Sequence, residues 1–293
     1  MKRTGLALLA TAFLATPCLA QYEYRVIDYP AAARTRVFAV NNLGQFVGAF
    51  WDASGAAHAM FFDGRKLQPL DVDGLIGTSP ASWAYSINNR GQIAGRYLDA
   101  SGAVHGYVFS RANVSTIDFP GAASTEAYGI NDWGDVIGVF GDSAGEFHAF
   151  LRHDGVYSQA DLPGGMTVPL SINDRREIVG EFADVPGTVG HGYLRWASGA
   201  FRTFDAPEAP ADSTFFISIN NRNEILGEYY LSGGYQNFVL AHGEWAPFDL
   251  PAESAPTYVS AQTINDLGDI VGWFDDAQGE HGFLAIRHHR DGH

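Results

Sequence analysis

Three glutamates (Glu126, Glu181 and Glu228), two arginines (Arg36 and Arg96) and two tryptophans (Trp83 and Trp273) are the residues whose types and positions offer chemistry. A pair of carboxylates can divide the roles of acid and base in glycoside cleavage, so the three glutamates are the catalytic candidates. Tryptophan faces stack on sugar rings, while arginine hydrogen-bonds hydroxyls or acid groups, so Arg36, Trp83, Arg96 and Trp273 are the ligand-binding candidates. All seven belong to two sets of equivalent positions in an internal repeat. The first set is Arg36, Trp83, Glu126, Val168, Phe215 and Ser260; the second is Ala49, Arg96, Val139, Glu181, Glu228 and Trp273. A single site on a repeated scaffold must use residues that differ between repeats, and these do.

The repeat that positions them is marked by an apolar residue, Asn, then Asn or Asp. It occurs at Val40-Asn41-Asn42, Ile87-Asn88-Asn89, Ile130-Asn131-Asp132, Ile172-Asn173-Asp174, Ile219-Asn220-Asn221 and Ile264-Asn265-Asp266, at spacings of 47, 43, 42, 47 and 45 residues. The first set lies four positions before the marker's apolar residue. The second follows a fixed glycine: Gly48, Gly95, Gly138, Gly180, Gly227 or Gly272. A third segment begins His58-Ala59-Met60, His105-Gly106-Tyr107, His148-Ala149-Phe150, His191-Gly192-Tyr193, Gln236-Asn237-Phe238 or His281-Gly282-Phe283. A fourth ends at Asp28, Asp71, Asp118, Asp161, Asp205 or Asp249.

Four short β-rich segments per unit, at roughly 45-residue spacing, have the period of a propeller blade. The expected fold is all-β: a six-bladed β-propeller of four antiparallel strands per blade. The chain opens with a lone fourth segment, Tyr24 to Asp28, and finishes after a lone third segment, His281 to Ile286. Pairing the N-terminal strand with the last blade completes six blades and closes the ring, which removes the open edge that invites aggregation. In this arrangement both variable sets lie near the face bearing the loops from strand four to one and from two to three.

The compound pattern of Ile-Asn-Asp, Ile-Val-Gly and His-Gly-Phe resembles the HAF-family extracellular repeat, and His148-Ala149-Phe150 carries those three letters. The resemblance spans nearly all of residues 22 to 286. It implies a secreted β-propeller-like protein and implies little about activity. The fifth unit departs from it, with Gln236-Asn237 where the others have His followed by a small residue.

Composition narrows the function. The 293 residues are 46% apolar and 17% charged, with 34 glycines and 13 prolines, which suits a packed, turn-rich domain. Residues 1–20 carry Lys2 and Arg3, an apolar run from Leu6 to Leu14 and the small-residue ending Cys18-Leu19-Ala20, the pattern of a secretory signal peptide cleaved before Gln21. The mature product, residues 21–293, is expected to be one domain, exported to the periplasm or beyond, monomeric and without a membrane span. Cleavage removes the only cysteine, and loss of Lys2 and Arg3 takes the net charge from -15 to -17. A general nucleic-acid binder needs clustered positive charge, so that class is excluded.

No cofactor or metal site is expected. The repeated histidines sit on separate blades, too far apart to share a metal, and read as hydrogen-bonded within or between blades. The repeated Asp before Pro or Gly reads as a turn former, as do the Asp99, Asp142 and Asp275 loops. His288, His289 and His293 read as a terminal tail. No Gly-x-Ser-x-Gly elbow, His-Glu-x-x-His helix or phosphate loop occurs. The leading expectation is a binding and interaction module that presents its loop-rich face to a carbohydrate or protein ligand. The alternatives are an extracellular polysaccharide hydrolase or lyase, and a structural surface or matrix protein.

Overall fold

The computed structural model describes residues 22–70, 72, 81–111, 113–184, 190–210 and 212–288. The signal-peptide pattern, Asp71, His289 and His293 lie outside those residues. The chain begins with β1 (Tyr22–Ile27). Blade one follows with β2 (Arg34–Val40), β3 (Phe46–Trp51), β4 (Ala57–Phe62) and β5 (Leu67–Pro69). Blade two holds β6 (Ala81–Ile87), β7 (Ile93–Leu98), β8 (Val104–Ser110) and β9 (Asn113–Ile117), and blade three β10 (Ser124–Ile130), β11 (Val136–Gly141), β12 (Phe147–His153) and β13 (Val156–Gln159). Blade four is β14 (Met166–Ile172), β15 (Ile178–Ala183), β16 (His191–Arg195) and β17 (Phe201–Phe204); blade five is β18 (Thr214–Ile219), β19 (Ile225–Leu231), β20 (Gly234–Ala241) and β21 (Glu244–Phe248). Blade six has only three strands of its own, β22 (Tyr258–Ile264), β23 (Ile270–Asp275) and β24 (Glu280–Arg287).

β1 supplies the missing strand. It pairs antiparallel with β24 from Tyr22 opposite Arg287 to Ile27 opposite Gly282, so the two ends of the chain share a blade, as the sequence predicts. A single parallel bridge, Arg34 to Glu280, links blade six to blade one.

Each inner strand carries a β-bulge at the same place. Phe38, Tyr85, Tyr128, Leu170, Ile217 and Gln262 are skipped in the pairing with the second strand. The fixed glycines lie beside these bulges for a steric reason. A Cβ on Gly138 would sit 1.9 Å from the Glu126 carbonyl oxygen, and one on Gly48 1.9 Å from that of Arg36. Removing the side chain also makes room for the third-strand anchors Met60, Tyr107, Phe150, Phe238 and Phe283, which an added Cβ would approach to 3.0 Å or less; these and Tyr193 are fully buried. The small residue after each histidine meets the next blade: a Cβ on Gly192 would strike Phe216 at 2.6 Å. In blade five Asn237 fills that space by bonding instead, its Nδ2 donating to Val259 O at 3.0 Å and its Oδ1 accepting from Ala261 N at 3.0 Å.

The marker asparagines join the blades. Asn41 Oδ1 accepts from Leu43 N and Gln45 N within its own turn, while Nδ2 donates to Asn88 O. The Nδ2-to-carbonyl step repeats through Asn88, Asn131, Asn173, Asn220 and Asn265 and returns to Asn41, at 2.8–3.4 Å. A second closed ring runs from Asn42 N to Asn89 Oδ1, then through Asp132, Asp174, Asn221 and Asp266 back to Asn42, at 2.7–2.9 Å. The marker motif is therefore more than turn chemistry. The left-handed residue of the turn is Gly44, Gly91, Gly134 or Gly268, replaced by Arg176 and Asn223 in blades four and five. The two rings surround a cavity of about 90 Å³ at this end of the channel.

Candidate functional site: the channel mouth

The two variable sets face each other in register. Arg36 is opposite Ala49, Trp83 opposite Arg96, Glu126 opposite Val139, Val168 opposite Glu181, Phe215 opposite Glu228 and Ser260 opposite Trp273. The structure thus gathers all seven candidates into three groups around the mouth.

Between blades two and three, the Arg96 guanidinium lies 4.4 Å from the Trp83 ring and its Nη1 donates to Glu126 Oε2 at 2.9 Å. Tyr128 OH donates to the same carboxylate oxygen at 3.1 Å. Arg96 Nε is buried and has no hydrogen-bond partner among the described residues. The bulge residues extend this group, with Phe38, Tyr85 and Tyr128 in successive ring contacts at 5.6 and 5.4 Å. Burial and the neighbouring Glu126 hold the Tyr128 hydroxyl well above the ordinary phenol range.

Between blades six and one, Arg36 lies 3.9 Å from the Trp273 ring and 5.4 Å from that of Trp51. Its Nε and Nη2 donate to the two oxygens of Glu280 at 2.8 and 2.7 Å. This fork is fully engaged, unlike that of Arg96. Between blades four and five, Glu181 and Glu228 are half-buried and have no basic partner among the described residues. Burial raises the Glu181 carboxyl; burial and then the charge of Glu181 push Glu228 up to about 7. Its Oε2 is shut off from solvent and unpartnered among the described residues. Tyr258 lies within electrostatic reach of Glu228 and 5.1 Å from Trp273, linking this group to the previous one.

Sequence reasoning missed Glu280, Trp51, Tyr85, Tyr128 and Tyr258. Tyr85 and Tyr128 are the bulge residues and were detectable as a third variable position, two before the marker. Glu280 precedes the repeated histidine, and no pattern pairs it with Arg36.

The repeated histidines are held inside the blades, as expected. His148 Nδ1 lies 2.8 Å from Asp161 Oδ2 and its Nε2 3.7 Å from Asp142 Oδ2; His105 is clasped likewise by Asp118 and Asp99. In blade five Gln236 Nε2 donates to Asp249 Oδ1 at 3.0 Å in place of the imidazole. Among the described residues the aspartates that end the fourth segments, Asp28, Asp118, Asp161, Asp205 and Asp249, therefore do more than form a turn: each fixes the third-strand side chain beside it. The loop aspartates do form turns, Asp99 Oδ1 accepting from Ser101 N and Ala103 N. Among the described residues no group of three or more His, Cys, Asp or Glu side chains is disposed to hold a metal, and no helix is long and apolar enough to cross a membrane.

No protein-family model matches the chain, and no curated protein matches it in sequence. Solved structures do match. AofleA from Arthrobotrys oligospora is 15% identical with a TM-score of 0.57, covering 92% of this chain and 87% of its own. The Aleuria aurantia lectin, described as a six-bladed β-propeller with a novel mode of fucose recognition, is 13% identical with a TM-score of 0.54, covering 86% of this chain and 91% of its own. The SapL1 lectin, solved with α-methyl fucoside, is 12% identical with a TM-score of 0.52, covering 83% of this chain and 89% of its own. The fold is a six-bladed β-propeller, as in the Aleuria aurantia lectin.

Proposed function

We propose that the protein is an exported carbohydrate-binding propeller whose principal site is the Trp83–Arg96–Glu126–Tyr128 group at the mouth. The observation that carries this reading is the state of Arg96. Its cation is positioned by an indole face and a carboxylate, yet a buried Nε–H is left without a partner among the described residues, at a cost that a ligand oxygen would recover. Glu126 offers its remaining oxygen to a hydroxyl beside it, and Trp83 and Tyr85 supply faces for a sugar ring. The other arginine of the two sets, Arg36, has spent its fork on Glu280, so the binding role falls to blades two and three. The fucose-binding lectins of the same fold make a neutral deoxysugar the first ligand to try. Export rests on the amino-terminal pattern and the resemblance to extracellular HAF repeats.

Calorimetric titration with α-methyl fucoside and a panel of neutral oligosaccharides tests the reading. Trp83→Ala and Arg96→Ala should each lose binding at least about tenfold while melting as cooperatively as the parent. Equal affinity in both variants would overturn it.

A second reading is favoured by Glu228. A carboxyl raised to about 7 beside a second carboxylate is the arrangement of a general acid, so cleavage of a polysaccharide at blades four and five is the enzymatic alternative. Product release from oligosaccharides that disappears in Glu228→Gln would establish it.

A further inference from the structure

The opposite face, bearing the turns from first to second strand and from third to fourth, carries its own variable positions. The fifth residue after the marker's apolar residue is Gln45, Gln92, Asp135, Glu177, Glu224 or Asp269. In blades three to five this position is a carboxylate that neutralises a cation: Asp135 holds His153 and Arg176, Glu177 holds Arg175, and Glu224 holds Arg287. In blade six Asp269 Oδ1 accepts from Arg287 N at 3.0 Å. Blade two breaks the pattern. It has Gln92 there, with Arg90 in the same turn and Arg111 in the turn between β8 and β9. Blade one also has glutamine, but its turn presents Leu43 where blade two presents Arg90.

Arg90, Gln92, Ser110 and Arg111 line a cavity of about 210 Å³. Among the described residues neither guanidinium has a carboxylate partner. Gln92 Oε1 is occupied by Asn88 Nδ2 at 2.8 Å, so the amide presents its N–H donors. The cavity therefore offers two guanidinium forks, an amide N–H₂ and a hydroxyl, and its only carboxylate position has become an amide. Beside it stands Trp133, 63% exposed, whose ring lies 5.7 Å from the Arg90 guanidinium. Its Nε1 donates to Asp174 O at 3.0 Å, which fixes the indole and leaves a face open.

We propose that this cavity binds the oxyanion of an acidic saccharide, a carboxylate or sulfate ester held by Arg90 and Arg111 with the sugar ring against Trp133. A planar guanidinium pairs with either group through two parallel hydrogen bonds, and two guanidinium charges without a carboxylate beside them disfavour a cation. The chain's overall negative charge repels anions at long range, so affinity comes from these local contacts and weakens with added salt. This site is on the face opposite the mouth and does not depend on the reading given for Arg96.

Calorimetry with trigalacturonate, its methyl ester and inorganic sulfate tests the assignment. Trigalacturonate should bind at least about tenfold tighter than the ester, which lacks the charge. Gln92→Glu restores the carboxylate found at this position in four other blades; it should preserve the melting temperature and weaken trigalacturonate by a similar factor, and Arg111→Gln should do the same if the first variant folds poorly. Trp133→Ala should weaken trigalacturonate and leave sulfate unchanged. Equal binding of acid and ester, or full affinity in both Gln92→Glu and Arg111→Gln, would overturn the site. Sulfate binding as tightly as trigalacturonate, with Trp133→Ala neutral, would overturn the saccharide assignment. Arg96→Ala should leave all of these titrations as they are, which separates failure here from failure at the mouth.

Discussion

Arg36 in β2 and Glu280 in β24 stand 244 positions apart in sequence and form a two-pronged ion pair at 2.7 and 2.8 Å across the join between the first and last blades. Both side chains are largely covered, and the guanidinium is also stacked on Trp273. The pair ties β24, the last strand of the chain, to the first blade, and so reinforces the closure that β1 makes by pairing with β24.

Removing one partner leaves the other charge partly buried and alone. Glu280→Ala should therefore destabilise the protein by about 2–3 kcal/mol, and Arg36→Ala by somewhat more because the Trp273 contact is also lost. The double variant should cost less than the sum, a coupling that denaturant titration of the four proteins would reveal. Deleting residues 21–30 removes the strand beside β24 and should lower the melting temperature or drive oligomerisation. A monomer with unchanged melting would show that β1 does not close the ring in solution.

The fixed glycines make a steric prediction that is independent of charge. Gly138→Ala drives a methyl group into the Glu126 carbonyl and the Phe150 ring, so β10 and β11 must separate. The expected loss is about 3 kcal/mol or more, at the upper end of overpacking costs. Gly145→Ala is the control for positive φ without crowding: its φ of 86° is strained, but no atom lies within 4 Å of the added carbon. It should cost about 1 kcal/mol. Equal losses would mean that the repeat keeps glycine for its backbone freedom rather than for space.

These glycines also show why so much of the architecture was legible in the sequence. The blades solve one packing problem with nearly the same few residues: a glycine beneath a large anchor side chain, an asparagine bridging to the next turn, and, in all but blade five, a histidine beside an aspartate. Identical constraints leave identical letters at a fixed period. The mouth was legible by subtraction, since Trp83, Arg96 and Glu126 stand where the letters change. Their pairing was not. Arg36 joins Glu280 and Arg96 joins Glu126 because adjacent blades converge on the channel, a relation between strands far apart in the chain. Tyr85 and Tyr128 escaped because a bulge breaks the simple alternation of strand faces. The donor cavity at Arg90 and Arg111 became visible only when two turns from one blade met at the same end.

The aspartate clasp makes stability depend on pH. Two carboxylates hold the His148 imidazole and raise its pKa; His105 is raised for the same reason, its pair of aspartates outweighing burial. With the folded value above the unfolded one, near 6.5, the stabilisation is complete below that value and is lost as pH rises through the folded pKa. Blade five supplies the control, because Gln236 makes the corresponding bond without titrating. His148→Gln should therefore lie furthest below the parent in stability at pH 5–6, where the aspartates remain ionised, and approach it toward pH 8. A difference that stays constant over that range would mean the histidine acts by packing alone.

Glu228 titrates with a different consequence. Its ordinary value of 4.5 is pushed to about 7 by burial and by the neighbouring Glu181 charge, so the folded state resists losing this proton while the unfolded chain does not. The folded protein thus loses stability progressively between about pH 4.5 and 7, and the penalty is constant above that window. A shift of this size corresponds to up to about 3 kcal/mol. Glu228→Gln keeps the shape and removes the charge, so it should match the parent near pH 4.5 and exceed it at pH 8. Glu181→Gln should lower the Glu228 midpoint, moving the parent's loss toward lower pH by removing the charge beside it. Denaturant titrations of the three proteins at pH 4.5, 6 and 8 decide the matter. If Glu228→Gln brings no gain at pH 8, a cation or water already satisfies the buried oxygen in solution, and the carboxylate stands ready as an ionised group rather than as an acid.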